Sequence, residues 1–175
     1  MGHDFKDLFG DWEPPEEGRR AGGDAGGEPE NRAPRALNEK EMTVIGVFEH
    51  EDPSAPSPSA QTFVLLQDGQ GRKVPIWIGR FEAMAISMAI ESEQSDRPMT
   101  HDLFRIVIER LGAEVERIIV DDLWQDTFYA KITLARNGTS QDIDCRPSDA
   151  VAIALRFKAP IYMAEAVIES VERKL

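Results

Sequence analysis

The sequence predicts an α+β fold, a single domain in which a mainly antiparallel or mixed sheet is packed with about four helices. Three observations point there. Asp68-Gly69-Gln70-Gly71 and Asn137-Gly138 supply the positive-φ positions that tight hairpins need. Between them, two segments repeat apolar residues at helical spacing. The strands follow one another through hairpins instead of alternating singly with helices, which argues against a doubly wound parallel fold. A chain of 175 residues is long enough for one well-buried core.

Taken in order, residues 1–40 read as a disordered acidic tail rich in Gly and Pro, and residues 41–175 as the folded domain. The tail's Glu13-Pro14-Pro15-Glu16-Glu17-Gly18 and Gly22-Gly23-Asp24-Ala25-Gly26-Gly27 cannot bury enough apolar surface to offset their ordering entropy. Phe5, Leu8, Phe9 and Trp12 stand apart, because their i, i+3, i+4, i+7 spacing makes one apolar helical face. A sticky unstructured terminus and a partner-docking helix both fit that pattern. Strands follow at Met42–His50, Thr62–Gln67 and Lys73–Ile78, with a flexible loop from Asp52 to Ser59 and an antiparallel hairpin between the second and third.

Gly79 to Glu93 reads as a helix apolar on most sides, and therefore buried on most sides. Thr100 is placed to cap the next helix, whose Leu103, Phe104, Val107, Ile108 and Leu111 should lie on the sheet before Gly112 stops it. Strands are expected at Ala113–Val120, Thr127–Ala135 and Ser140–Cys145. Ser148 is placed to cap a third helix running to Phe157, and a short strand Pro160–Met163 and a last helix Glu165–Arg173 complete the domain.

Composition narrows function by exclusion. One Cys cannot close an internal disulfide, and no basic segment followed by an apolar one opens the sequence, so a cytoplasmic location is expected. Apolar runs such as Met84–Ile86 and Ala150–Leu155 fall far short of the roughly 20 residues that span a bilayer. The net charge is −12, and residues 41–175 alone hold 14 Lys+Arg against 22 Asp+Glu, a difference of −8. Polyanion binding rests on cations that displace counterions from phosphate, so it would need a local Arg cluster or a divalent metal here.

Three patches carry polar residues beyond what the pattern requires. Glu82, in the first turn after Val74-Pro75-Ile76-Trp77-Ile78-Gly79, shares a face with Ile86 and Ile90; stabilisation of the helix dipole, worth about 0.3–1 kcal/mol, explains it without function. In Arg97-Pro98-Met99-Thr100-His101-Asp102, His101 and Asp102 suit a proton carrier and its orienter, while Arg97 offers a cation to substrate. Capping alone would also place Asp102 there. In Asp142-Ile143-Asp144-Cys145-Arg146-Pro147-Ser148-Asp149, a helix N-terminus with Arg146 and Ser148 suits a phosphate, and Asp144 with Asp149 suits a divalent ion. The structural rival is an Arg146 to Asp salt bridge. Cys145 lacks a Cys-His signature and reads as structural.

Pro75-Ile76-Trp77-Ile78-Gly79 with Glu82-Ala83, Arg97-Pro98-Met99-Thr100-His101-Asp102-Leu103, Phe128-Tyr129-Ala130, Arg146-Pro147-Ser148-Asp149-Ala150 and Ala159-Pro160-Ile161-Tyr162 together resemble the bifunctional nuclease domain over most of residues 42–171. The resemblance implies a nuclease, an RNase and DNase, that hydrolyses phosphodiester bonds of RNA and DNA. Chemistry at the matching motifs assigns Glu82, His101 and Asp102 to catalysis, Arg146, Ser148 and Arg97 to substrate, and Asp144 and Asp149 to a Mg²⁺ or Mn²⁺ ion. The alternative is a non-catalytic oligomeric binding or regulatory module that uses the same pocket for an anion or partner protein. A homo-oligomer is expected from the resemblance and from the apolar run Phe63-Val64-Leu65-Leu66.

Overall fold

The computed structural model describes residues 38–51, 60–93 and 95–174. The strands are β1 (Glu39–Glu51), β2 (Ala60–Asp68), β3 (Lys73–Ile78), β4 (Glu114–Trp124), β5 (Thr127–Arg136), β6 (Thr139–Cys145) and β7 (Ile161–Ala164). The helices are α1 (Arg80–Glu91) and α2 (Thr100–Arg110) between β3 and β4, α3 (Pro147–Phe157) between β6 and β7, and α4 (Glu165–Glu172) after β7. The expected helix at Phe5–Trp12, nearly all of the expected tail and the loop from Asp52 to Ser59 lie outside the described residues. β1 takes Glu39 and Lys40 from the stretch assigned to the tail.

The strands form one sheet in the order β3-β2-β1-β7-β4-β5-β6. Neighbours pair antiparallel except β4 with β7, which run parallel, so the sheet is mixed. The parallel pair follows from connectivity. After β6 at the sheet edge, α3 carries the chain back to a slot between β1 and β4, and a crossover of that kind returns the strand parallel to its new neighbour. α3 is consequently laid across β4 and β5.

Both hairpins announced by the sequence form. Gly71 (φ 85°) turns β2 into β3, and Asn137 and Gly138 (φ 52° and 77°) join β5 to β6. A third hairpin, β4 to β5, turns on Gln125 and Asp126 at φ 47° and 60°. It carries no Asn-Gly signal. Left-handed backbone at two such residues costs roughly 1–2 kcal/mol each, which the ladder on both sides of the turn offsets.

The main core joins Val64, Leu66, Ile118, Val120 and Ile132 of the sheet to Ile86, Ile108, the α3 residues Ala150–Ala154 and α4's Val167, Ile168 and Val171. Phe63 and Leu65 alternate to the other face and pack with Phe48 and Trp77. All four residues of Phe63–Leu66 are fully buried, so that run offers no surface for self-association.

Two helix expectations are corrected. α1 is not buried on most sides: it buries Ala83, Ala85 and Ile86 but exposes Phe81, Met84 and Ile90. α2 does not lay its apolar face on the sheet, since only Ile108 is buried while Leu103, Phe104, Val107 and Leu111 are exposed. Caps differ as well. Met99, not Thr100, occupies the α2 N-cap, and Arg146, not Ser148, occupies that of α3.

Arg72 ties the β2–β3 hairpin to α4. It gives Nε to Asp68 Oδ2 at 2.7 Å and Nη1 and Nη2 to Glu165 at 2.6 and 3.0 Å. Asp68 also accepts from the backbone N–H groups of Gln70 and Arg72, which closes the turn. Burial opposes ionisation of Asp68, yet the Arg72 hydrogen bonds and the backbone donors more than offset it and hold the carboxyl below its ordinary 3.8. The Asp68 side chain is 2% exposed, so losing its cation strands a buried charge. Arg72→Met should lower the thermal midpoint by about 5–10 °C at pH 7. Because the folded pKa is depressed, the Asp68 contribution is present above pH 3.8 and is lost as pH falls through the folded value. The gap between parent and variant, read by thermal melts at stepped pH, should therefore narrow below pH 3.8.

Candidate functional site

Three helix N-termini meet at one group of charges. Glu82 stands in the first turn of α1, His101 in that of α2, and Arg146 and Asp149 at the N-cap and first turn of α3. Each helix starts from an extended residue, Gly79, Met99 or Arg146, with a carboxylate three positions on. Unpaired N–H groups and the helix dipole favour negative charge at such positions.

Arg146 is the hub. Its Nε and Nη2 donate to Asp149 Oδ2 and Oδ1 at 2.7 and 3.0 Å, and its Nη1 donates to Glu82 Oε1 at 2.9 Å. His101 Nε2 lies 3.2 Å from Asp149 Oδ1. Burial raises the Asp149 carboxyl, but the hydrogen bonds from Arg146 and then His101 outweigh it and keep it below 3.8. The Asp149 hydrogen bond, reinforced by that carboxylate's charge, pushes the Arg146 guanidinium further up and keeps it cationic. A guanidinium has five N–H donors. Three are given to carboxylates, which leaves one each on Nη1 and Nη2, on a side chain that is 65% exposed.

These charges border an open cleft of about 290 Å³ lined by Ile78, Gly79, Glu82, Phe128, Arg146 and Ser148, among others. Gly79 makes room in it, because a Cβ there would collide with the Glu82 carboxylate. Ser148 contributes a buried position at the start of α3. Phe128 supplies an apolar wall that sequence reasoning did not assign to the site. A large aromatic one residue into a strand, within one of the five blocks that carry the resemblance, was the available signal.

The remaining sequence candidates lie elsewhere. Asp102 does not orient His101: its Oδ1 accepts from Arg156 Nε at 2.6 Å and its Oδ2 from the Met99 N–H at 3.1 Å. Asp149 holds the His101 ring instead. Arg97 is exposed in the α1–α2 connection, and among the described residues its side chain makes no hydrogen bond or ion pair with Glu82, Arg146, Asp149 or His101. Asp144 is exposed on β6, opposite Lys131 of β5, and the same side of that ribbon holds Asp142 bonded to Thr133. Among the described residues no group of three or more His, Cys, Asp or Glu side chains is placed to hold a metal ion. Asp149 and Glu82 spend oxygens on Arg146, and Asp144 is not part of that network, so the donor set does not fit a Mg²⁺ or Mn²⁺ ion in this arrangement.

Cys145 donates weakly to the Ala130 carbonyl, and burial, with the charges of Asp144 and Asp149, pushes its thiol up to about 12. A thiol so raised is a poor nucleophile at neutral pH.

Comparison with known proteins agrees with the five-block resemblance. The bifunctional nuclease domain matches residues 64–175. An uncharacterized protein of Mycobacterium tuberculosis is 40% identical over 129 residues, covering 73% of each chain. Bifunctional nuclease 2 of Arabidopsis thaliana is 28% identical over 110 residues, and bifunctional nuclease 1 of Oryza sativa subsp. japonica is 26% identical over 110 residues; each match covers 61% of this chain and 33% of the plant protein. The chain belongs to the bifunctional nuclease domain family. Among the described residues no helix is long and apolar enough to cross a membrane.

Two outcomes test the geometry. Gly79→Ala should displace the Glu82 carboxylate from Arg146 while the thermal midpoint moves by no more than about 3 °C; a crystal structure of the variant with the 2.9 Å contact intact would contradict this. The Cys145 thiol, raised by burial, should resist alkylation of the folded protein at pH 7; rapid labelling would contradict this.

Proposed function

We propose that this chain hydrolyses phosphodiester bonds of RNA and DNA at the cleft bordered by Glu82, Arg146 and Ser148. Arg146 carries the reading. It is an exposed cation held rigid by two carboxylates, with two N–H donors left over, and that pair matches two oxygens of a phosphate. Family membership supports the reaction class, and the plant relatives are named as nucleases.

Hydrolysis needs a held phosphate, a deprotonated water and a proton for the leaving oxygen. Arg146 meets the first need and spreads the charge that develops on the phosphate. Glu82 lines the cleft and gives only Oε1 to Arg146, so Oε2 is free of that contact to accept a proton from water. Asp149 fixes the guanidinium plane and His101 holds Asp149 through Nε2, while Glu82 returns the proton it takes from water to the leaving oxygen. His101 and Asp149 do not line the cleft, so their part is to position Arg146. With Glu82 and Asp149 paired to it, Arg146 brings no local excess of positive charge, so its hold on a phosphate rests on the two directed N–H donors left over.

A second reading has one observation in its favour. Three of Arg146's five donors are already satisfied within the protein, as in a static anion-binding or partner-binding module. Full-length protein assayed on single-stranded RNA and DNA separates the two. Arg146→Ala should cut hydrolysis by about 10²–10³-fold with folding preserved, the usual loss when one charge-stabilising donor is removed. Parent protein that cuts neither substrate, or Arg146→Ala that cuts as well as parent, would sink the nuclease reading at this cleft. Activity surviving excess EDTA supports the Arg146-centred route; activity lost in EDTA and regained with Mg²⁺ or Mn²⁺ supports an ion that enters with the substrate.

A further inference from the structure

Two of the three segments that wall the cleft carry an aromatic ring turned out to solvent. Phe81 is 75% exposed and Trp124 59%, and among the described residues no other large apolar side chain is as exposed as either. Phe81 lies between Gly79 and Glu82, both part of the wall that β3 and α1 supply. Trp124 stands directly across the β4–β5 ladder from Thr127, which belongs with Asp126 and Phe128 to the wall that this hairpin supplies. Residues opposed in that way keep their Cβ atoms about 4.5–5.5 Å apart on one side of the ribbon. A ring left in water forgoes the burial that stabilises a fold, so two of them beside one cleft mark a surface kept for a ligand.

The charges near the rings leave little excess of either sign. Glu82 is paired with Arg146, Asp126 with Lys174 and Asp121 with Lys131, while Asp122 accepts from the Leu123 N–H. Arg80, just before Phe81, is exposed, and among the described residues its side chain makes no hydrogen bond or ion pair. Long-range attraction therefore selects nothing here, and recognition falls to the ring faces and to the two directed donors of Arg146. A ligand that brings a phosphate to Arg146 and flat rings to Phe81 and Trp124 is a nucleic acid with its bases unstacked. A duplex keeps the faces of its bases inside, whereas a single strand can turn them out onto aromatic side chains.

We propose that the cleft takes one unpaired strand of nucleic acid, with bases flanking the phosphate on Arg146 stacked on Phe81 and Trp124. This rests on the phosphodiester reading of the cleft and narrows its substrate to unpaired RNA or DNA. Every base has a face to stack, so the site selects strandedness and not sequence.

Binding and cleavage are measured separately on the full-length protein. The probes are a single-stranded oligonucleotide, the same sequence as a blunt duplex, and a strand of equal length without bases; phosphorothioate-linked versions, which resist hydrolysis, give Kd by anisotropy. The parent should bind the base-bearing single strand at least about tenfold more tightly than the duplex or the abasic strand. Phe81→Ala and Trp124→Ala should each weaken that binding about tenfold and shrink the preference to match, with the loss in cleavage carried by KM. Phe81→Leu and Trp124→Leu keep apolar bulk without a flat face and should behave alike, so they carry the test if an alanine variant melts early. Equal affinity in the parent and either variant, or a duplex held as tightly as the single strand, overturns the proposal, and cleavage by the parent then leaves the nuclease reading standing. A parent that binds the single strand through both rings and cuts nothing upholds the proposal and sinks hydrolysis alone. One that neither binds nor cuts overturns both.

Discussion

The arrangement of the helical layer depends on the burial of α3. Pro147 through Ala154, the charge of Asp149 aside, are buried, and three of its core residues are alanines, which let a helix approach both the sheet below and α1 above. Such a helix cannot carry charge along its length, so the charge collects at its ends. Arg146 at the start reaches Glu82 of α1 and, through Asp149, His101 of α2. Arg156 in the last turn reaches the Ala85 carbonyl of α1 at 3.1 Å and Asp102 of α2 at 2.6 Å. Two arginines thus clamp the same pair of helices at both ends of one buried rod. The Arg156 side chain is 8% exposed and closes the structural end, whereas Arg146 is 65% exposed and remains open to solvent. The same device therefore closes one end of the rod and leaves the other open to solvent.

That division explains why His101 and Asp102, adjacent in sequence, serve different partners. On a helix, successive residues point about 100° apart, so one turns toward the N-terminus of α3 and the other toward its C-terminal turn. Adjacency suggested a catalytic dyad; the helix separates it. The carboxylate that meets His101 comes from Asp149, 48 residues away.

Periodicity behaves in the same way at the scale of a helix. The spacing of Leu103, Phe104, Val107 and Leu111 correctly announces a helix, and an apolar stripe ordinarily faces the core. Here the sheet beneath is already covered by α3 and α4, and α2 touches the core mainly through Ile108. The stripe is left facing outward. An amphipathic pattern states that a face will be covered, without stating by what.

What the sequence determined by itself is what local physics controls. Strand β3 was read to the residue because Gly69–Gly71 and Gly79 punctuate both its ends, and the Asn137-Gly138 turn, the mixed sheet and the four helices follow from short-range signals of the same kind. The motifs around Glu82, His101, Arg146 and Asp149 were visible because each places a polar group at a helix start. Only the tertiary structure decided which of them meet. It joined these four, sent Asp102 to Arg156, left Asp144 and Arg97 outside the network, and turned α2 outward. Those outcomes rest on contacts between residues 40–65 positions apart and on the crossover that lays α3 over the sheet, and no local preference encodes a distance of that kind.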